Sequence, residues 1–213
     1  DTYRSYYVNT YPTTILKKST VSGNAITITG PGNVLRNLVV SGESGNGGDG
    51  IQVGAQVVTL DHVAVWYQGG NGIRIGYDNG NVQVNLWKMY EVSARANGGD
   101  GVYINDGLPG SFDANGGTAF GLGTSVNGAY GLHLGHTSQN TFVGLDSEGN
   151  TDYGIRIDPS TYDNGALRGL GANSFFGGEV EGNGGGGSNG DVYLGTGSSL
   201  NYLDGINVAG TIY

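Results

Sequence analysis

One phrase returns along this chain and limits what the chain can fold into: a short alternating run, a corner, then a second alternating run. Its fullest copy is Asn140-Thr-Phe-Val-Gly-Leu-Asp-Ser-Glu-Gly-Asn150, followed by Asp152-Tyr-Gly-Ile-Arg-Ile-Asp158. It reappears as Asn173-Ser-Phe-Phe-Gly-Gly-Glu-Val-Glu-Gly-Asn183 closed by Asp191-Val-Tyr-Leu-Gly195, and truncated as Asn201-Tyr-Leu-Asp-Gly-Ile-Asn-Val-Ala-Gly210. Aligning the closing runs at Ala25, Gly50, Gly72, Gly101, Gly131, Gly154 and Asp191 gives steps of 25, 22, 29, 30, 23 and 37 residues. Repeats of roughly 20–50 residues with strand-like alternation define a solenoid. The runs are about five residues long, too short for helices, and rich in Ile, Val and Leu. The expected fold is therefore all-β: a single-stranded parallel β-helix of about seven coils, with loops of varying length between strands of fixed length. The bias of parallel crossovers makes it right-handed.

Within the first run a corner residue interrupts the alternation at Asn37, His62, Glu91, Gly121, Gly144, Gly177 and Gly205. Gly and Asn accept the positive φ that a sharp bend requires. His62 is read as such a corner residue rather than a catalyst. Residues 21–213 are expected to form the β-helix, and residues 1–20, which lack the phrase, to lead into or cap it, because an uncovered end strand invites pairing. The final coil shows no cap. Three insertions, Asn105 to Gly117, Asp158 to Gly171 and Gly182 to Gly190, should leave the stack, the first two walling one side of it. Starting at Asp1 without Met, the sequence reads as a mature or excised fragment.

Composition narrows the function. With 44 glycines in 213 residues but no Gly-X-Y period, collagen is excluded. Only 13% of residues are charged, which disfavours a disordered polyelectrolyte. A net charge of −9 disfavours duplex nucleic acid, which needs a basic face. No cysteine is present, so disulfides and thiolate metal sites are ruled out. No apolar run is long enough for membrane insertion as a helix. Gly48-Asp-Gly50 and Gly99-Asp-Gly101 resemble calcium-binding nonapeptides, but they do not recur every nine residues, so Asp49, Asn71 and Asp100 are read as turn formers.

Alternation in the closing run turns the middle residue outward. Stacking then makes a ladder of Thr27, Gln52, Arg74, Tyr103, His133, Arg156 and Tyr193, with about 4.8 Å per rung and roughly 29 Å in all. Flat aromatic and guanidinium groups suit sugar faces, carboxylates and sulfates, so Gln52, Arg74, Tyr103, His133, Arg156 and Tyr193 are candidate glycan-binding residues. A subunit interface would use the same residue types. A second ladder is acidic: Asp146 and Glu148 face outward, with Glu179 and Glu181 one coil on. Like charges about 5 Å apart raise the pKa of at least one, which is how a general acid arises. Direct stacking suits a retaining glycosidase and the Asp146/Glu181 diagonal an inverting one. Calcium held by Asp146 and Glu179 is the alternative use of this patch. No other metal or cofactor is expected.

The phrase Asn-x-Phe-x-Gly-x-Asp/Glu-x-Glu-Gly-Asn with Tyr-Gly-Ile-x-Ile resembles the right-handed, pectate-lyase-like parallel β-helix, above all the bodies of bacteriophage tail spikes and tail fibres. The resemblance covers about Val21 to Tyr213. It implies a homotrimeric, virion-borne, extracellular protein that binds, and often cleaves, a bacterial surface polysaccharide. Glu148 and Glu181 match the glutamate of the phrase. A secreted lyase acting on a uronate-containing glycan is the second expectation, with Arg156 neutralising the carboxylate, His133 as base and Tyr103 as proton donor. A non-enzymatic structural shaft or adhesin, with the ladders buried between subunits, is the third.

Overall fold

A computed structural model describes residues 14–17, 22–42, 47–76, 84–105, 114–135, 137–158, 160–161, 167–168, 172–185, 190–195 and 201–213. No helix occurs among them. Each coil supplies one long and one short strand, numbered here along the chain. The long ones are β1 (Thr14–Lys17), β3 (Val34–Ser41), β5 (Thr59–Trp66), β7 (Lys88–Arg95), β9 (Thr118–Ser125), β11 (Thr141–Glu148), β15 (Ser174–Glu181) and β17 (Tyr202–Val208). The short ones are β2 (Ile26–Ile28), β4 (Ile51–Val53), β6 (Ile73–Ile75), β8 (Val102–Ile104), β10 (Leu132–Leu134), β12 (Ile155–Ile157) and β16 (Val192–Leu194). Long strands pair only with long ones and short with short, in chain order and parallel, giving an eight-stranded and a seven-stranded sheet. The chain is thus a parallel β-helix, and its register places Ile26, Ile51, Ile73, Val102, Leu132, Ile155 and Val192 on one line.

The first run, expected to be about five residues long, is a strand of seven or eight residues with the corner residue as a bend inside it. Asn37, His62, Glu91, Gly121, Gly144, Gly177 and Gly205 all sit at that bend with φ between 49° and 66°. Two further columns of left-handed residues flank the long strands: Val57, Leu86, Gln139 and Ala172 before them, and Tyr67, Ala96 and Val126 after them. A β-branched residue pays a steric penalty in this conformation. Backbone bonds between coils offset it, as in Val57 N–H to Asn85 O and Val126 N–H to Glu148 O, both 3.0 Å.

Inside, each coil buries its Ile, Val and Leu on the next. Phe142 stacks on Phe175 with ring centroids 4.9 Å apart, and Trp87 leans on Phe142 at 6.0 Å. A buried amide column runs beside them. Asn97, Asn127 and Asn150 each donate a side-chain N–H to the Oδ1 of the next asparagine, at 3.0, 2.9 and 2.8 Å, ending on Asn183. The same oxygens accept the backbone N–H groups of Asn97, Asn127 and Asn150, so each of these acceptors is used twice.

The lead-in segment adds a rung. β1 pairs with the second half of β3, from Thr14 opposite Leu38 to Lys17 opposite Ser41. At the other end the chain turns back after β17. Val192 N–H bonds to Thr211 O at 3.2 Å, and Leu194 N–H to Tyr213 O at 2.8 Å, around a parallel bridge between Val192 and Ile212. The connection from long to short strand is six residues in each of four consecutive coils, for example between Trp66 and Ile73 or Glu148 and Ile155. The longest links fall on the opposite edge, after the short strands, where β8 ends at Ile104 and β9 begins at Thr118, although the stretches from Ser41 to Ile51 and from Glu181 to Val192 are also longer than six. Of the three predicted insertions, residues 106–113, 159, 162–166, 169–171 and 186–189 lie outside the described residues. In the second, β13 (Ser160–Thr161) and β14 (Leu167–Arg168) form a small antiparallel pair.

Candidate functional site

The outward residues of the short strands stand one above another. Thr27, Gln52, Arg74, Tyr103, His133, Arg156 and Tyr193 are register partners in unbroken succession. Their surroundings differ. Gln52 is buried, its amide oxygen accepting from Asn24, so it offers little surface to a ligand. The Arg74 guanidinium lies 5.4 Å from the Tyr103 ring centre, and Tyr103 stacks on the His133 imidazole at 4.6 Å.

At the next rungs the side chains interlock. His133 Nδ1 lies 2.9 Å from Asp100 Oδ2 and Nε2 lies 2.8 Å from Asp158 Oδ2. The other Asp158 oxygen accepts from Arg156 Nε at 2.6 Å, and Arg156 Nη1 donates to the Tyr130 hydroxyl. The guanidinium lies 4.7 Å from the Tyr130 ring centre and 5.3 Å from that of Tyr193. Burial alone would keep the His133 ring neutral, but the hydrogen bonds and charges of the two carboxylates outweigh it and raise the pKa. The imidazolium donates from both nitrogens in this arrangement and has no lone pair to lend as a base. Burial opposes ionisation of Asp158 too, yet His133 and Arg156 hold its carboxyl below the ordinary value. Loss of hydration raises the Tyr103 and Tyr130 phenols, which stay neutral at pH 7.

The acidic ladder lies on the long sheet. Asp146 is the register partner of Glu179, and Glu148 of Glu181. Asp146 is pushed above its usual value, first by lost hydration and then by Glu148, Glu179 and Glu181. Asn207 donates to Glu179 Oε1 at 3.2 Å from one coil further on. Beyond the bend, Phe120, Val143 and Phe176 form an adjoining apolar column. Among the described residues no three His, Asp or Glu side chains converge as a metal site.

Three contributors to the interlocked cluster were not picked out from sequence as site residues: Asp100, Asp158 and Tyr130. Asp100 and Tyr130 occupy the corner before the short strand, where Asp100 Oδ1 also accepts the Tyr130 backbone N–H at 3.1 Å. The signal was the phrase itself, since Asp49, Asn71, Asp100 and Tyr130 share that place in successive repeats. Tyr213 was also missed as a rung. Its bonds to β16 set it beside Tyr193.

No protein-family model matches the chain, and no curated protein does. Solved structures do. The T265N mutant of the periplasmic alginate epimerase AlgG superposes with a TM-score of 0.66 at 12% identity, over 85% of this chain and 42% of that one. The enzymatically active domain of tailspike protein 2 from bacteriophage CBA120 gives 0.60 at 14%, over 86% and 33%. The A-module of Azotobacter vinelandii mannuronan C-5 epimerase AlgE6 gives 0.58 at 16%, over 93% and 56%. The chain thus spans between a third and about half of the length of these structures. By its parallel coils and these likenesses, the chain has a right-handed parallel β-helix fold.

Proposed function

We propose that this chain binds a bacterial surface polysaccharide along the short-strand ladder and takes part in its depolymerisation, as a tail-spike-type protein acting outside the cell or on a virion. The observation that carries the reading is the Arg156–Asp158–His133–Asp100 chain, set between the Tyr103 and Tyr193 rungs with Tyr130 reaching in from a corner. Each polar side chain is oriented by another before a ligand arrives, so little rotamer freedom is lost on binding. Aromatic faces then meet sugar rings, while Arg74 and Arg156 offer charge to uronate carboxylates or sulfates. The likeness to alginate epimerases and a phage tailspike supports a polysaccharide ligand at the level of fold.

For cleavage a second stretch of the glycan lies across the long sheet, because a general acid must reach the scissile bond and the better-prepared carboxyls are there. There Asp146, with its raised pKa, serves as general acid and Glu179, steadied by Asn207, as the partner carboxylate. Glu148 and Glu181 add to the upward shift at Asp146. In the lyase reading Arg156 neutralises a uronate and Tyr103 donates a proton, but His133 becomes a base only after releasing a carboxylate. The test is incubation with capsular polysaccharides, lipopolysaccharides and polymannuronate, measuring retention and oligosaccharide release. Loss of retention in Arg156→Ala, and loss of release in Asp146→Asn, are expected. New absorbance from unsaturated uronates that His133→Ala abolishes would favour the lyase instead. Weakened self-association in Arg74→Ala or Arg156→Ala, with no glycan bound by the parent chain, would favour the structural shaft.

A further inference from the structure

Towards the N-terminal coils, the outward face of the long strands changes character. After the bend its outer column reads Trp66, Arg95, Ser125, Glu148 and Glu181, register partners in unbroken succession. The column beside it reads Ala64, Ser93, Gly123, Asp146 and Glu179. Arg95 is exposed and Trp66 half-buried. The backbone beneath them is fixed. The Trp66 carbonyl accepts from Gly42 N–H at 2.8 Å and from Gln68 Nε2 at 2.9 Å, and the Arg95 carbonyl accepts from Tyr67 N–H at 3.3 Å. Between this pair and the acids stand only Ser93, Gly123 and Ser125, and a Cβ added at Gly123 would meet nothing within 4 Å. One end of this stretch offers an indole face and a guanidinium, the other end four carboxyls. Arg95 stands two rungs from the coil of Asp146 and Glu148, or about 10 Å.

We propose that Trp66 and Arg95 form a subsite for an acidic sugar, a uronate or a sulfated ring, placed two residues from a neutral sugar over Asp146 and Glu179, which rests on the long-sheet cleavage reading above. A pyranose advances a polysaccharide by about one rung, so two rungs separate sugars two places apart. The guanidinium fork matches the paired oxygens of a carboxylate or sulfate. The indole meets the C–H face of the same ring or its neighbour. At the other end, lost hydration and then Glu148, Glu179 and Glu181 already oppose ionisation of Asp146. A uronate seated there would add a fifth carboxylate to that patch. The face therefore fits a repeating unit whose acidic sugars are spaced apart, and disfavours a polymer with a carboxylate on every ring.

The test measures oligosaccharide release from bacterial polysaccharides with one uronate in three or four sugars, gellan among them, from the carboxyl-reduced form of each, and from polymannuronate. Arg95→Ala should raise KM for the acidic polymer about tenfold, the scale of one charge-assisted hydrogen bond. It should leave kcat, and KM for the reduced form, where they were. Trp66→Ala should raise KM for both forms alike, and Trp66→Phe, which keeps an aromatic face, should recover most of the loss. Polymannuronate should be the slowest substrate. Equal losses on acidic and reduced polymers in Arg95→Ala, or polymannuronate as the best substrate, would overturn the subsite. If the parent released nothing from any polymer, or Asp146→Asn released as much as the parent, the cleavage reading would fall and the subsite with it. If Asp146→Asn lost release while Arg95→Ala kept the parent's KM, the subsite alone would fall.

Discussion

The two outward faces are built by the same stacking rule and come out electrostatically opposite. On the short sheet, neighbouring groups alternate in sign, so Arg156, Asp158, His133 and Asp100 lock into one hydrogen-bonded chain. On the long sheet, Asp146 over Glu179 and Glu148 over Glu181 repeat one sign, and the result is a carboxyl with a raised pKa. A solenoid multiplies whatever residue sits at a given place in its repeat. Alternation yields an interlocked surface, and repetition yields one whose carboxylates repel.

The amide column under both faces should dominate any disruption. Asn150→Ala removes the acceptor of two buried Asn127 donors, the backbone N–H and the side-chain amide. At about 1–3 kcal/mol for each unsatisfied buried group, the expected loss is about 4 kcal/mol in urea unfolding. Asp158→Ala comes next. It strips partners from Arg156 and His133 only, at about 1.5 kcal/mol or more for each charged hydrogen bond. A loss of about 3 kcal/mol is expected, with the long sheet untouched. If Asp158→Ala were silent, the interlock would contribute nothing and the two faces would not differ.

Acidity separates the faces further. The folded-state pKa of His133 is raised, so its stabilisation is complete below the unfolded value of about 6.5 and is lost as pH climbs through the folded value. Asp158 is lowered, so its contribution holds above about 3.9 and fades as pH falls through the folded value. Asp146 is raised, so its ionisation above about 3.9 costs stability. Unfolding measured between pH 5 and 9 should decline on the alkaline side, and His133→Gln should flatten that decline. The smallest expected effect is Asp146→Asn, which relieves like-charge repulsion and should stabilise by about 0.5 kcal/mol at pH 7. A destabilisation there would mean the carboxylates are bridged rather than repelling.

Much of this was readable before any coordinates, because covalent repetition fixes register. The seven-residue column from Thr27 to Tyr193 and the bend from Asn37 to Gly205 follow from counting alone. What counting missed lies between strands. Asp100 and Tyr130 act from corners, Asp158 acts from the start of an insertion, and each reaches a neighbouring coil, which no alternation rule predicts. Gln52 illustrates the reverse error. Its position is outward, yet Asn24 covers it. Tyr213 escaped notice because its coil closes on Gly210-Thr-Ile-Tyr213, without the usual phrase.

The uneven distribution of connection lengths has a practical side. Four consecutive coils keep the same six-residue link on one flank, while the other flank stretches from β8 to β9 and from β12 to β15. Segments exchanged along that permissive flank would border the ladder without altering the spacing of the rungs. A library of grafts there should vary the surface beside the rungs while the stacked spine keeps its thermal behaviour.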